Sequence, residues 1–114
     1  MPGLDRRKNQ DRRKTKRVTV SVPVEWESHN ARRTGTMNDV SNEGCFILSD
    51  AEVSDGELVK IFLPLTDGER AEFVGQVANY VYEIGFALHF ISLSPSQIEF
   101  LDNFVELHRQ AAAG

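Results

Sequence analysis

Two clusters of side chains have the types and spacing for ligand capture. The first is Arg12-Arg13-Lys14-Thr15-Lys16-Arg17, in which Arg13 and Arg17 stand four residues apart. A guanidinium is planar, forked and always charged, which suits it to holding an anion. On an extended segment, residues four apart lie on the same side, so both can face one ligand. The second cluster is Asp39-Val40-Ser41-Asn42-Glu43-Gly44, which reads Asp-x-Ser-x-x-Gly. Taken alone each is weak evidence. Arg-x-x-x-Arg arises by chance in any basic tail, and Asp, Ser and Gly are ordinary turn formers. Nothing else in the chain builds a reactive centre. Cys45 sits in a predicted strand beside Phe46 and reads as a small core residue. His29, His89 and His108 fall in a turn, a strand and a helix, without metal-ligand spacing. Glu25 and Glu27 lie on the polar face of a strand. No Walker sequence and no GxGxxG is present, so an enzyme is not expected.

Charge is divided unevenly. Residues 1–20 hold eight of the thirteen Lys and Arg and two of the seventeen acids, so this arm carries +6 and the remainder −10. A basic arm on an acidic body implies that the arm meets an anion, or else serves as a solvated tail. An acidic body argues against broad contact with nucleic acid or an anionic membrane. The lone Cys45 allows no internal disulfide. The first twenty residues lack an apolar stretch, and no apolar run approaches a membrane span. A cytoplasmic protein is the default expectation.

These clusters need a scaffold, and the period of the apolar residues describes one. Residues 1–16 contain a single large aliphatic residue, Leu4, so the arm is expected to be mobile when free. Val18, Val20, Val22, Val24 and Trp26 alternate with polar residues, which predicts a half-buried strand. Pro23 belongs at a bulge or edge of it. A turn is expected at Ser28–Asn30, then strands over Arg32–Val40 and Cys45–Leu48. Between them, Asn42-Glu43-Gly44 fits a three-residue hairpin loop with positive φ at Gly44. Leu58–Leu65 is an apolar strand, Asp67-Gly68 a hairpin turn, and Ala71–Tyr82 and Gly85–Ile91 two further strands. Six short strands predict a small antiparallel barrel or sandwich. One helix closes the chain. Ser94 is its N-cap, Pro95 its first residue and Gln97 the partner in a capping box. Ile98, Leu101, Val105 and His108 form a stripe, with Phe100, Phe104 and Leu107 beside it, expected to pack on the barrel.

In this order, on a small β-domain with a C-terminal helix, the two clusters resemble the PilZ domain family. The resemblance covers Arg12 to Leu107. It extends to Arg17 leading into the first strand, to Gly75-Gln76-Val77 and to Gly85-Phe86-Ala87-Leu88-His89-Phe90 ahead of the helix. It implies a mainly β fold, a six-stranded antiparallel PilZ-type barrel with a C-terminal α-helix. The chain then divides into a mobile arm (1–11), the PilZ domain (12–110) and a tail (111–114). The implied activity is that of a bacterial receptor for cyclic di-GMP, with no further cofactor and no metal. The implied ligand residues are Arg13, Arg17, Asp39, Ser41 and Gly44. The register Arg13/Arg17 is preferred over Lys8/Arg12 or Arg12/Lys16, because both members are Arg and Arg17 abuts the strand. Arg12 is then an additional ligand residue. A doubled arginine resembles members that take up a stacked ligand pair, which implies two molecules per chain.

The chemistry agrees with that ligand. Arginine can clamp a phosphate, bond guanine O6 and N7 or stack on a base. The Asp39 carboxylate can accept guanine N1–H and N2–H. Ser41 can donate to a phosphate or a guanine, and Gly44 leaves room for a ligand near the backbone. Ligand touching both arm and barrel is expected to order the arm and create a surface for an unidentified downstream protein. Neither nucleic acid nor membrane insertion is expected. The alternatives are a β-barrel that binds nucleic acid through the arm, or an interaction module that has lost the ligand.

Overall fold

The computed structural model describes residues 17–65 and 67–113, with helix side chains through Arg109. Six strands and one helix follow in order: β1 (Val18–Ser28), β2 (Ala31–Val40), β3 (Gly44–Leu48), β4 (Leu58–Pro64), β5 (Arg70–Val81), β6 (Gly85–Phe90) and α1 (Pro95–Ala113). The strands close into an antiparallel barrel in the order β1-β2-β3-β6-β5-β4. Each predicted strand is present, with ends that differ by about one residue. The period-two pattern of β1 holds: Val18, Val20, Val24 and Trp26 are buried in the barrel core. There Trp26 meets Phe86 edge to face at 4.9 Å. The β1–β2 hairpin turns on His29 and Asn30, both with positive φ. Two such residues give a turn whose twist matches the flanking strands.

Two prolines govern where the barrel closes. β1 pairs with β4 only over Glu25–Glu27 and Lys60–Phe62. Continuing that register would set Pro23 against Pro64. Neither has an N–H to donate, so the ladder stops short of them. Pro23 thus pairs with Thr36 on β2 and is unpaired on its β4 side, the edge-like position its sequence suggested. The helix α1 packs against β1, and its fully buried Leu101 joins the core that also holds Val18 and Val20.

The helix begins as its sequence implies. The Ser94 N–H donates to Gln97 Oε1 at 2.7 Å, and the Gln97 N–H donates to Ser94 Oγ at 3.1 Å. Its contact face differs in phase from the expected stripe. Phe100, Leu101, Phe104 and Val105 pack on the barrel, but Ile98 is 44% exposed and Leu107 65%. Gln97 takes the position assigned to Ile98, because its Nε2 donates to the Glu72 carbonyl on β5 at 2.8 Å. Ile98, one residue on, is rotated about 100° away from that contact.

Candidate functional site

Asp39 reaches the surface because β2 is irregular. Met37 and Val40 are three residues apart, yet both are fully buried. Strict alternation from Met37 would drive Asp39 into the core. A register shift between Met37 and Asp39 on the β3 side, and another between Thr19 and Val22 on the β1 side, reverse the phase. A bulge re-aims the side chain beside it, and here the side chain re-aimed is the carboxylate of the second motif. Asp39 then pairs with Thr19 on β1, and Val40 with Val18. That register brings Arg17, one residue earlier, alongside the motif.

The two motifs touch. Arg17 Nη1 donates to Asp39 Oδ1 at 2.7 Å, across 22 residues of sequence. Arg17 is 49% exposed and Asp39 29%. Such a pair contributes at most about 1 kcal/mol, so a ligand can rearrange it at small cost. The bond engages one of the five guanidinium N–H donors and one of two carboxylate oxygens. Among the described residues, most of the hydrogen-bonding capacity of both groups has no other partner.

Ser41 and Gly44 shape the loop. Ser41 is buried, and its Oγ accepts the N–H of Glu43 at 3.1 Å and of Gly44 at 3.3 Å. Its own N–H donates to the Gly44 carbonyl at 2.8 Å. Among the described residues the hydroxyl proton has no acceptor and is left over as a donor. Gly44 departs from expectation: its φ is not positive, unlike that of Gly68 in the β4–β5 turn. It is required for a different reason. A Cβ there would lie 2.1 Å from the Leu88 carbonyl oxygen on β6. The close approach is thus made by the neighbouring strand. Arg12 and Arg13 lie outside the described residues.

Cys45 is buried next to this site, and its thiol is pushed up to about 12. Burial is the main cause, with the Asp39 carboxylate adding and Arg17 opposing. It is a core residue, inert as a thiol. Among the described residues no group of His, Cys, Asp and Glu could hold a metal ion, and no helix is long and apolar enough to cross a membrane.

Two features escaped the sequence reading. Glu57 accepts bonds from the Ser28 hydroxyl and the Ser54 N–H, with His29 Nε2 at 3.3 Å. Burial alone would raise its pKa; the bonds from Ser28 and Ser54, aided by His29, outweigh this and hold it below the usual range. Ser28 donates to the carboxylate and not to the imidazole, so this is no nucleophilic triad. The second feature is Asn42, whose Nδ2 donates to Asp102 on α1 at 3.1 Å. No sequence signal links them, since they are 60 residues apart.

The family model for the PilZ domain matches residues 11–107. The chain belongs to the PilZ domain family. Among solved structures, this PilZ domain is similar to the PilZ domain of YcgR from Escherichia coli with c-di-GMP. The TM-score is 0.73 at 16% identity, over 89% of this chain and 94% of that one. It is also similar to the PilZ domain of CeSA from a cellulose-synthesizing bacterium, with TM-score 0.62 at 22% identity, over 78% and 93%. A third is the Bacillus subtilis inhibitor of motility MotI/DgrA, with TM-score 0.70 at 15% identity, over 89% and 52%. No curated protein matches the chain. At these identities the likeness establishes the barrel and helix.

Proposed function

We propose that this PilZ domain is a receptor for cyclic di-GMP and acts by binding, not catalysis. The observation that carries this reading is the 2.7 Å contact between Arg17 and Asp39. It sets Arg17, the described arginine of the first cluster, against Asp39 of the Asp-x-Ser-x-x-Gly cluster. The E. coli YcgR structures, similar in fold, contain c-di-GMP. In this reading Arg12, Arg13 and Arg17 hold phosphates and stack on bases, and Asp39 accepts guanine N–H donors. The Ser41 hydroxyl donates to the ligand, while Gly44 keeps the loop close against β6. Two ligand molecules bind per chain, the second stacked through Arg12.

Binding orders the arm over the barrel. The resulting surface of arm, ligand and barrel edge is recognised by a downstream protein. The protein works in the cytoplasm, without a cofactor and without nucleic acid. Calorimetric titration with cyclic di-GMP, with cyclic di-AMP and GTP as controls, tests the reading. Saturable binding of cyclic di-GMP with a two-to-one endpoint is expected. Absence of binding would refute the receptor reading, and a one-to-one endpoint would refute the stacked pair.

A further inference from the structure

The loop that carries Ser41 has a tie of its own to the helix. Asn42 Nδ2 donates to Asp102 Oδ1 at 3.1 Å. A carboxylate can only accept, so Asp102 fixes which end of the amide faces α1. The oxygen end is therefore turned away from the helix. That Oδ1 is buried, and among the described residues it has no donor. A buried acceptor without a partner is unfavourable and gains from any N–H that reaches it. The other hydrogen bonds described for the loop run within the barrel. Ser41 Oγ accepts from Glu43 and Gly44, and the Glu43 carbonyl accepts the Phe90 N–H from β6 at 2.8 Å. Asn42 alone among the described loop bonds reaches α1.

Resting on the receptor reading and deepening it, we propose that Asn42 is a ligand-binding residue that, with Asp102 as its positioning residue, couples the ligand site to α1. Its oxygen accepts a guanine N–H of bound cyclic di-GMP while its nitrogen stays on Asp102. An amide bonded at both ends is polarised in one direction, so each bond strengthens the other. Ligand arrival thus tightens the loop against the helix. The helix is well placed to respond, because Leu101 is its one fully buried side chain among those described. Asp102 acts through Asn42: it orients the amide and needs no contact with the ligand.

The test uses the full chain with cyclic di-GMP. Affinity is measured by calorimetry for the wild type, Asn42→Ala, Asp102→Ala and the double variant. Each single change is expected to weaken binding about ten-fold, the effect of one lost hydrogen bond. The double variant is expected to be no weaker than the weaker single one, since both remove the same connection. Hydrogen exchange supplies a readout that a merely structural role would not move. Saturating ligand should slow exchange over residues 98–106 in the wild type and leave it unchanged in saturated Asn42→Ala. Asp102 is exposed, so its variant keeps the inference testable even if Asn42→Ala disturbs the loop. Variants that match the wild type in affinity and helix protection, or losses that add, would overturn the coupling and leave the receptor reading standing. A wild type that fails to bind would remove both.

Discussion

In the proposed receptor reading, Arg17 and Asp39 matter for binding and little for folding. Their ion pair is exposed, so Arg17→Ala should change the melting temperature by only a few degrees. The same change removes a charge-assisted bond to the ligand worth about 1.5–3 kcal/mol, a ten- to hundred-fold loss of cyclic di-GMP affinity. Calorimetry on the folded variant checks it, and unchanged binding would remove Arg17 from the site. Asp39→Ala should erode the preference for cyclic di-GMP over cyclic di-AMP, because the carboxylate accepts the donors that guanine alone presents. A variant that keeps the full preference would show that the base is recognised elsewhere. Gly44 should behave in the opposite way. A methyl group placed 2.1 Å from a backbone oxygen forces β3 and β6 apart. Gly44→Ala should therefore cost about 2–3 kcal/mol or more, seen as a large drop in melting temperature. An alanine variant of native stability would mean that the strand gap relaxes freely. The positive φ expected at Gly44 is absent: turn chemistry is local, whereas the contact that requires glycine comes from β6, 44 residues later.

At the level of elements, legibility followed the range of the forces involved. The strands were readable because the alternation of Val18, Val20, Val24 and Trp26 is a local consequence of one buried face. The capping box was readable because Ser94 and Gln97 satisfy each other within four residues. The bulge between Met37 and Asp39 was not. Its position depends on which residues of β1 and β3 stand opposite, and the sequence of β2 does not contain that register. Yet the bulge is what turns Asp39 outward. The phase of α1 was missed for a similar reason, since a polar Gln97 could win the barrel-facing position only by meeting the Glu72 carbonyl. Between β3 and β4 the alternation gives no signal, yet Glu57 stitches this loop to the end of β1 through Ser28. This makes a pH prediction. A carboxyl whose pKa is depressed on folding stabilises the folded state fully above the ordinary carboxylate range. It loses that contribution as pH falls through its lowered folded value, because the unfolded chain then binds the extra proton. Chemical-denaturation midpoints of the wild type should therefore fall through the acid range, and Glu57→Gln should flatten part of that slope. An identical slope in the variant would show that other carboxyls carry the acid limb.

For the whole molecule, the decisive quantity is the opposition of charge between arm and body. The first twenty residues carry +6 and the remainder −10, so an anionic ligand is attracted by the arm and repelled by the body. In the proposed receptor reading the ligand settles only if the arm comes with it, since that reading assigns it contacts with both Arg13 of the arm and Asp39 of the barrel. Fixing each arm residue costs about 1–2 kcal/mol of backbone entropy. Contacts to the ligand must offset this, and binding should act as an order–disorder switch at the arm. Because the attraction is between charges in water, affinity should weaken as salt rises past about 0.1 M, where the screening length is about 10 Å. Limited trypsin digestion follows the arm directly, since it is dense in Lys and Arg. Cleavage between Arg6 and Arg17 should be fast without ligand and slow at saturating cyclic di-GMP. Arg70, on β5 and paired with Glu25 at 2.8 Å, serves as the internal reference and should be cut at a rate that ligand hardly changes. Hydrogen exchange over residues 10–20 should slow in parallel. An arm equally protected in both states would be preformed, and the signal would then have to leave through a surface other than the arm.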